Sequence, residues 1–320
     1  MTQPVSTHDS LTPPMPLREG LDAWEQVIGK VTQLLAETAI DAAWVNRLTE
    51  ITLAVRKLAH RDVDLALYVL IESNGNSVDH YSEKHGLACL VITELAANWM
   101  DWPEVEKQAL ALAALSMNVS MTSLQDTMAG QKTALSDFQR SRIESHAAAS
   151  VEVLTQAGVA DPVWLYVVQH HHTAAGAEAA TETLAGPRLA ELLRRVDIYT
   201  AKLSRRGTRD SVTPATAARD ACLGASGNPD SIGATLLRVI GLYPPGTYVE
   251  LANGETSIVV KRGKKAHTPI VASVRRHDWG LIMPPQRRDT ERDGLTVKRG
   301  VEPGHAHVLF DQLHVLSCAF

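Results

Sequence analysis

Apolar residues recur at three- and four-residue spacing from Leu17 to about Leu242, as in Trp24, Val27, Val31 and Leu34. That period predicts helices through the whole stretch. Start signals are readable along it. Pro103 opens a run to about Met117. Ser136 precedes a run from Asp137 to Gln156 that Gly158 closes. Asp161-Pro162 opens a short helix ending in three histidines, and Pro187 opens another that runs to about Leu203. At Gly241 the pattern changes. After the turn-rich Gly241-Leu-Tyr-Pro-Pro-Gly246, the runs Tyr248–Leu251 and Thr256–Val260 flank Asn253-Gly254, a hairpin signal. Thr268–Val274 and Val308–Ser317 read as further strands. The expected class is therefore mainly α, with a small C-terminal β-rich module. The expected segments are a disordered tail (1–17), an N-terminal helical segment (18–76), a helical domain (77–240) and the β-rich module (241–320).

Composition narrows the class without changing this picture. Of 320 residues, 45% are hydrophobic and 21% charged, which excludes disordered, collagen-like and disulfide-scaffold chains. The formal net charge of -5 argues against a chain-wide grip on nucleic acid. No apolar run is long enough to span a bilayer. The N-terminus lacks a basic start followed by an apolar stretch, so no signal peptide is expected. Three scattered cysteines make no framework, and a cytoplasmic protein with no membrane partner is the expectation. Residues 261–300 are rich in Lys and Arg. They read as a charged strand surface or, alternatively, as a docking site for an acidic partner or nucleic acid. His277-Asp278 and the His305, His307 pair are weak signals outside the helical region.

Four helical segments place a titratable group on the stripe that should face the core. His85 lines up with Ala88, Cys89, Ile92 and Ala96. His146 lines up with Ile143, Ala147, Val151 and Leu154. Val163 and Val167 are followed one turn later by His170 and His171. Leu189, Leu193 and Val196 bracket Asp197 and Thr200. Buried imidazoles and carboxylates are costly unless paired, hydrogen-bonded or bound to metal. Each one alone reads as a satisfied core residue. Together, neutral imidazoles and a carboxylate suit zinc, iron, manganese or nickel.

In order and spacing these residues resemble the HD superfamily, and within it the HD-GYP branch of cyclic di-GMP phosphodiesterases. Tyr81-Ser-Glu-Lys-His85 resembles the segment of the first ligand histidine. Ala113-Ala-Leu-Ser-Met-Asn-Val-Ser-Met121 occupies the place of the signature. Ile143-Glu-Ser-His146, Val168-Gln-His-His-His172 and Arg195-Val-Asp-Ile-Tyr199 resemble later ligand segments, and the stretch from Gly241 to Glu255 resembles the C-terminal hairpin. The resemblance implies an HD-domain helical bundle and a metal centre.

It also exposes departures. The signature His-Asp is Met117-Asn118 here, the lysine that handles phosphate is Met121, and the Asp-Gly-x-Gly-Tyr-Pro motif has become Ala175-Gly176-Ala-Glu-Ala-Ala180. A thioether is a poor ligand for hard or borderline ions, and the amide of Asn118 carries no charge. No catalytic residue is assigned. The implied metal ligands are His146, His170 and His171, with His85, Asp197 and Asn118 as weaker candidates. Arg206 and Arg209 resemble phosphate contacts, although a solvated basic loop explains them equally. The cofactor is one divalent transition metal or none. The leading expectation is a catalytically degenerate module that binds a cyclic dinucleotide or other nucleotide. The alternatives are a single-metal phosphohydrolase and a protein-interaction scaffold. The N-terminal helices would either pack onto the core or form a homodimer.

Overall fold

The computed structural model describes residues 15–174, 185–207, 211–223, 227–276, 280–302 and 311–320. Several of its helices start where a side chain satisfies the free N–H groups of the first turn. Asp41 accepts from Trp44 N, Asp62 from Leu65 N, Asp161 from Val163 N and Trp164 N, and Asp230 from Gly233 N. Ser136 and Gln139 cap each other reciprocally. The helices are α1 (Leu17–Leu35), α2 (Ala42–Arg61), α3 (Val63–Asn76), α4 (Tyr81–Trp99), α5 (Glu104–Ser116), α6 (Thr122–Gly130), α7 (Asp137–Gln156), α8 (Pro162–His170), α9 (Ala185–Leu203), α10 (Pro214–Cys222), α11 (Ser231–Ile240) and α12 (Gln312–Ser317). A single 3-10 turn, Val119–Met121, joins α5 to α6.

The centre of the bundle is α4, which is buried on nearly every side and packs against α3, α5, α9 and α11. Such a helix has no solvent face to keep polar. The N-terminal pair α1 and α2 shares the same core through Trp24, Val31, Leu34, Trp44, Leu48 and Val55. A buried ion pair ties α2 to α4. Arg56 donates from Nε and Nη2 to Glu94, both at 2.9 Å, and His60 and Asn98 complete the shell of that carboxylate.

The C-terminal strands β1 (Tyr248–Leu251), β2 (Thr256–Lys261), β3 (Ile270–Arg275), β4 (Leu281–Asp289) and β5 (Val297–Val301) form an antiparallel sheet in the order β4-β3-β2-β1-β5. Alternation divides its faces. Tyr248, Ile258, Val260, Ala272 and Val274 join the helical core, whereas Val249, Leu251, Val259 and Val271 make a small core of their own. Gly246, at φ +90°, lets the chain touch α3, because a Cβ there would lie 2.7 Å from Glu72 N.

The mainly α architecture with a small β module is as expected, and so is the hairpin at Asn253-Gly254. One element differs. Within the stretch read as a strand from Val308, residues 312–317 form a helix, capped by Asp311 through Leu313 N and burying Val315 and Leu316. The cap decides that helix, and two adjacent buried residues do not fit one face of a strand. The basic stretch 261–300 contains β4 and β5. These are the two edges of the sheet, where prolines and charges guard against further pairing.

Candidate metal centre

Each candidate ligand arrives on a different element: His85 on α4, His146 on α7, His171 and His172 in the turn that ends α8, and Asp197 on α9. Three imidazoles converge. His146 Nε2 lies 3.2 Å from His171 Nε2 and 3.2 Å from His172 Nε2. Two of the rings point their other nitrogen at a carbonyl, and the third has a carboxylate nearby. His146 Nδ1 faces Ile143 O at 2.5 Å, His171 Nδ1 faces Val168 O at 2.7 Å, and His172 Nδ1 lies 3.8 Å from Asp197 Oδ2. The two carbonyls assign the His146 and His171 protons to Nδ1. Their Nε2 lone pairs are thereby turned inward, with His172 Nε2 beside them.

Burial keeps protons from filling that gap. It pushes the His171 imidazole down to about 3, helped by the nearby His172, and it also lowers His146, against the pull of the Ile143 carbonyl. Two imidazole nitrogens sharing one tetrahedral ion at about 2.05 Å would lie about 3.3 Å apart. The spacing, and the carbonyls behind His146 and His171, therefore fit one borderline divalent ion.

The second cluster is His85, Cys89, Asp197 and Thr200. His85 Nε2 meets Asp197 Oδ1 at 2.8 Å, and His85 Nδ1 meets Thr200 Oγ1 at 3.3 Å. Thr200 passes its own proton to Val196 O at 2.9 Å. Cys89 Sγ lies 3.8 Å from His85 Nε2. Burial opposes charge on His85, but Cys89, Tyr81 and the hydrogen bond to Asp197 raise it well above an ordinary histidine. Burial would raise Asp197, and the bond from His85 outweighs it, holding the carboxyl well below the usual range. Both ring nitrogens of His85 thus have acceptors, and this cluster is closed on itself.

The remaining positions fall around these two groups. His170 is not brought to the cluster; its ring packs on Tyr166 with centroids 4.3 Å apart, and His172 stands third instead. Met117 is buried in the hydrophobic core, and Met121 is buried as well. Asn118 opens the 3-10 turn, its carbonyl accepting Met121 N–H at 2.9 Å, and among the described residues its side chain makes no hydrogen bond. Ser120 fastens this turn to α7, donating to His146 O at 3.0 Å and accepting from Ser150 Oγ at 3.0 Å. Arg206 donates to Tyr81 Oη at 2.8 Å, and the Tyr81 ring stacks on His85 at 5.3 Å. Arg209, His277-Asp278, His305, His307 and the segment Ala175–Ala180 lie outside the described residues.

The sequence places Cys89 and Thr200 on the inward stripes without giving them a role, and His172 stands outside the expected ligand set. The signal for the histidines was present. Trp164, Val167 and Val168 form the buried face of α8, and positions seven, four and three residues on from them coincide at His171, with His172 beside it and His170 off the stripe.

No family model matches the chain, and no curated protein does. Among solved structures it is similar to Bd1817, a HDG"Y"P protein from Bdellovibrio bacteriovorus, with a TM-score of 0.52 and 12% identity over 72% of this chain and 74% of that one. At that identity the likeness speaks for the fold, which the order of His85, His146, His171 and Asp197 along the bundle had already indicated. The chain has a distant HD-GYP-like fold.

Proposed function

We propose that this is a catalytically degenerate HD-GYP-like protein, a binding or regulatory module for a nucleotide second messenger, with cyclic di-GMP the first ligand to try. It holds one divalent transition metal (zinc, iron, manganese or nickel) on His146, His171 and His172. The observation that carries the reading is the convergence of three Nε2 atoms, two of them on rings oriented by a carbonyl behind them. When bound, the ion supplies Lewis-acid attraction for a phosphate oxygen. Arg206, braced on Tyr81, supports contact with a second phosphate oxygen.

Loss of catalysis follows from what stands at the signature positions. Met117 and Met121 offer buried thioethers and Asn118 a neutral amide, so none of the three can take a proton or neutralise a phosphate. Removing a bridging carboxylate and a phosphate-contacting lysine costs several kcal/mol of transition-state stabilisation, about a thousand-fold or more in rate. A second reading, a single-metal phosphohydrolase, is favoured by one observation: the His172 side chain is 51% exposed, so solvent reaches the edge of the cluster.

Elemental analysis of protein prepared without chelator tests the metal; about one ion per chain is expected, and almost none in His171→Ala. Calorimetric titration with cyclic di-GMP tests the ligand. Heat that disappears in Arg206→Ala and in chelator supports the sensor. A silent titration removes it. Hydrolysis of cyclic di-GMP abolished by His171→Ala would establish the phosphohydrolase instead. Metal-free protein indifferent to His171→Ala would leave a scaffold.

A further inference from the structure

The basic stretch after β2 builds a site of its own. A cavity of about 350 Å³ lies between the β2–β3 loop and the turn that follows α11, and it shares no lining residue with the histidine clusters. Its size is at the lower end for small-molecule sites. Arg238, Arg262, Lys264 and Lys265 line it against one carboxylate, Asp64.

That carboxylate is already committed. Asp64 accepts from Arg262 N at 3.0 Å and Arg262 Nε at 2.7 Å, while Arg262 Nη1 donates to Val239 O at 2.6 Å. Arg262 is therefore a brace between α3 and the end of α11. The other three cations have little to balance them. Among the described residues Lys265 pairs only with the exposed Glu291 at 3.3 Å, a weak surface contact. Arg238 lies over the Trp99 ring at 5.0 Å and meets no carboxylate among the described residues. Lys264 is exposed and likewise has no acidic partner among the described residues.

The frame that holds these cations is stiff. Leu242 N–H donates to Ala266 O at 2.8 Å, joining the two turns, and Thr268 N–H donates to Lys265 O at 3.1 Å. Gly263 is required for the loop to fold back, since a Cβ there would lie 1.7 Å from Thr268 O. Like charges gathered on a rigid frame repel one another, and an anion with more than one charge relieves that repulsion. The half-buried Tyr243 adds an aromatic wall.

We propose that this cavity is an anion site for a small phosphate ester of nucleotide size, gripped by Arg238, Lys264 and Lys265, with Tyr243 against its base. It stands independently of the metal-centre reading.

The test is calorimetric titration of the full chain with ADP at low salt, in chelator so that no metal-bound phosphate contributes. One site is expected, weakening with added salt. The double variant Arg238→Ala, Lys264→Ala weakens it at least about ten-fold. Both side chains are exposed, so a thermal melt unchanged from wild type confirms that the variant folds. His171→Ala leaves ADP binding unchanged, which separates this site from the histidine cluster. Tyr243→Ala brings ADP down to the affinity of pyrophosphate. The proposal is overturned if ADP gives no heat near about 1 mM, or if the double variant binds as tightly as wild type. It is equally overturned if short duplex DNA or anionic vesicles bind more tightly than ADP through the same residues.

Discussion

The two clusters that meet at Asp197 contain similar residues and differ in what they lack. Around His85 every polar atom has a complement: the carboxylate of Asp197 on one ring nitrogen, the hydroxyl of Thr200 on the other. Around His146 the complements are all on the outer side, and the inner nitrogens face each other across 3.2 Å. The first arrangement is complete as protein alone; the second leaves a gap that the proposed cation would fill. Residue type does not separate a structural histidine from a ligand histidine. The direction in which each ring spends its N–H does.

The largest test breaks the closed cluster. Asp197→Ala leaves the charge on His85 without its partner, and the unfolding free energy measured by denaturant titration in chelator should fall by about 3–5 kcal/mol. A smaller fall would mean that His85 gives up its proton and that the cluster is not the ion pair described above.

The Arg56–Glu94 pair sharpens the comparison, being closed by a guanidinium with the His60 imidazole completing the carboxylate's shell. Glu94 is held at about 2 by its partners although burial acts to raise it, against about 4.3 in an unfolded chain. Its contribution is thus full above about pH 5 and is lost as pH falls through about 2. It amounts to about 3 kcal/mol. Denaturant titrations across that range should show this slope, and Glu94→Gln should flatten it.

Zinc should distinguish the clusters next. At free zinc about 100-fold above its dissociation constant, wild type should gain about 2.7 kcal/mol. His85→Ala should keep most of that gain, and His171→Ala should lose it. Equal losses in the two variants would show that both clusters share the ion. The smallest effect belongs to Thr200→Val, which strips His85 Nδ1 of its acceptor for about 1–2 kcal/mol and should leave metal content unchanged by elemental analysis.

Much of the fold was legible because its signals are local. Asp161-Pro162, Ser136 with Gln139, and Asn253-Gly254 each mark an element through bonds a few residues long. The strands β4 and β5 were harder to read, since edge strands carry prolines and charges in place of the alternation that marks a buried strand. The C-terminal helix α12 was misread as strand because its cap, Asp311, was overlooked beside an apolar run. At the site, four inward-facing helical stripes announced that His85, His146, His171 and Asp197 would meet. Which neighbour joined them was settled by rotation about α8 and the turn that ends it, which sends His170 to Tyr166 and the exposed His172 to His146.

Sequence by itself determined the helical body, the hairpin and the absence of an acid, imidazole or ammonium at positions 117, 118 and 121, because periodicity, caps and residue identity are properties of the chain. Tertiary structure alone decided that one cluster closes and the other stays open. That difference rests on Asp197 and Thr200, which reach the His85 ring only once α9 has packed on α4, and on the packing of α7 against α8, which brings the His146 and His171 Nε2 atoms together, whereas the Ile143 and Val168 carbonyls lie one turn from their own histidines.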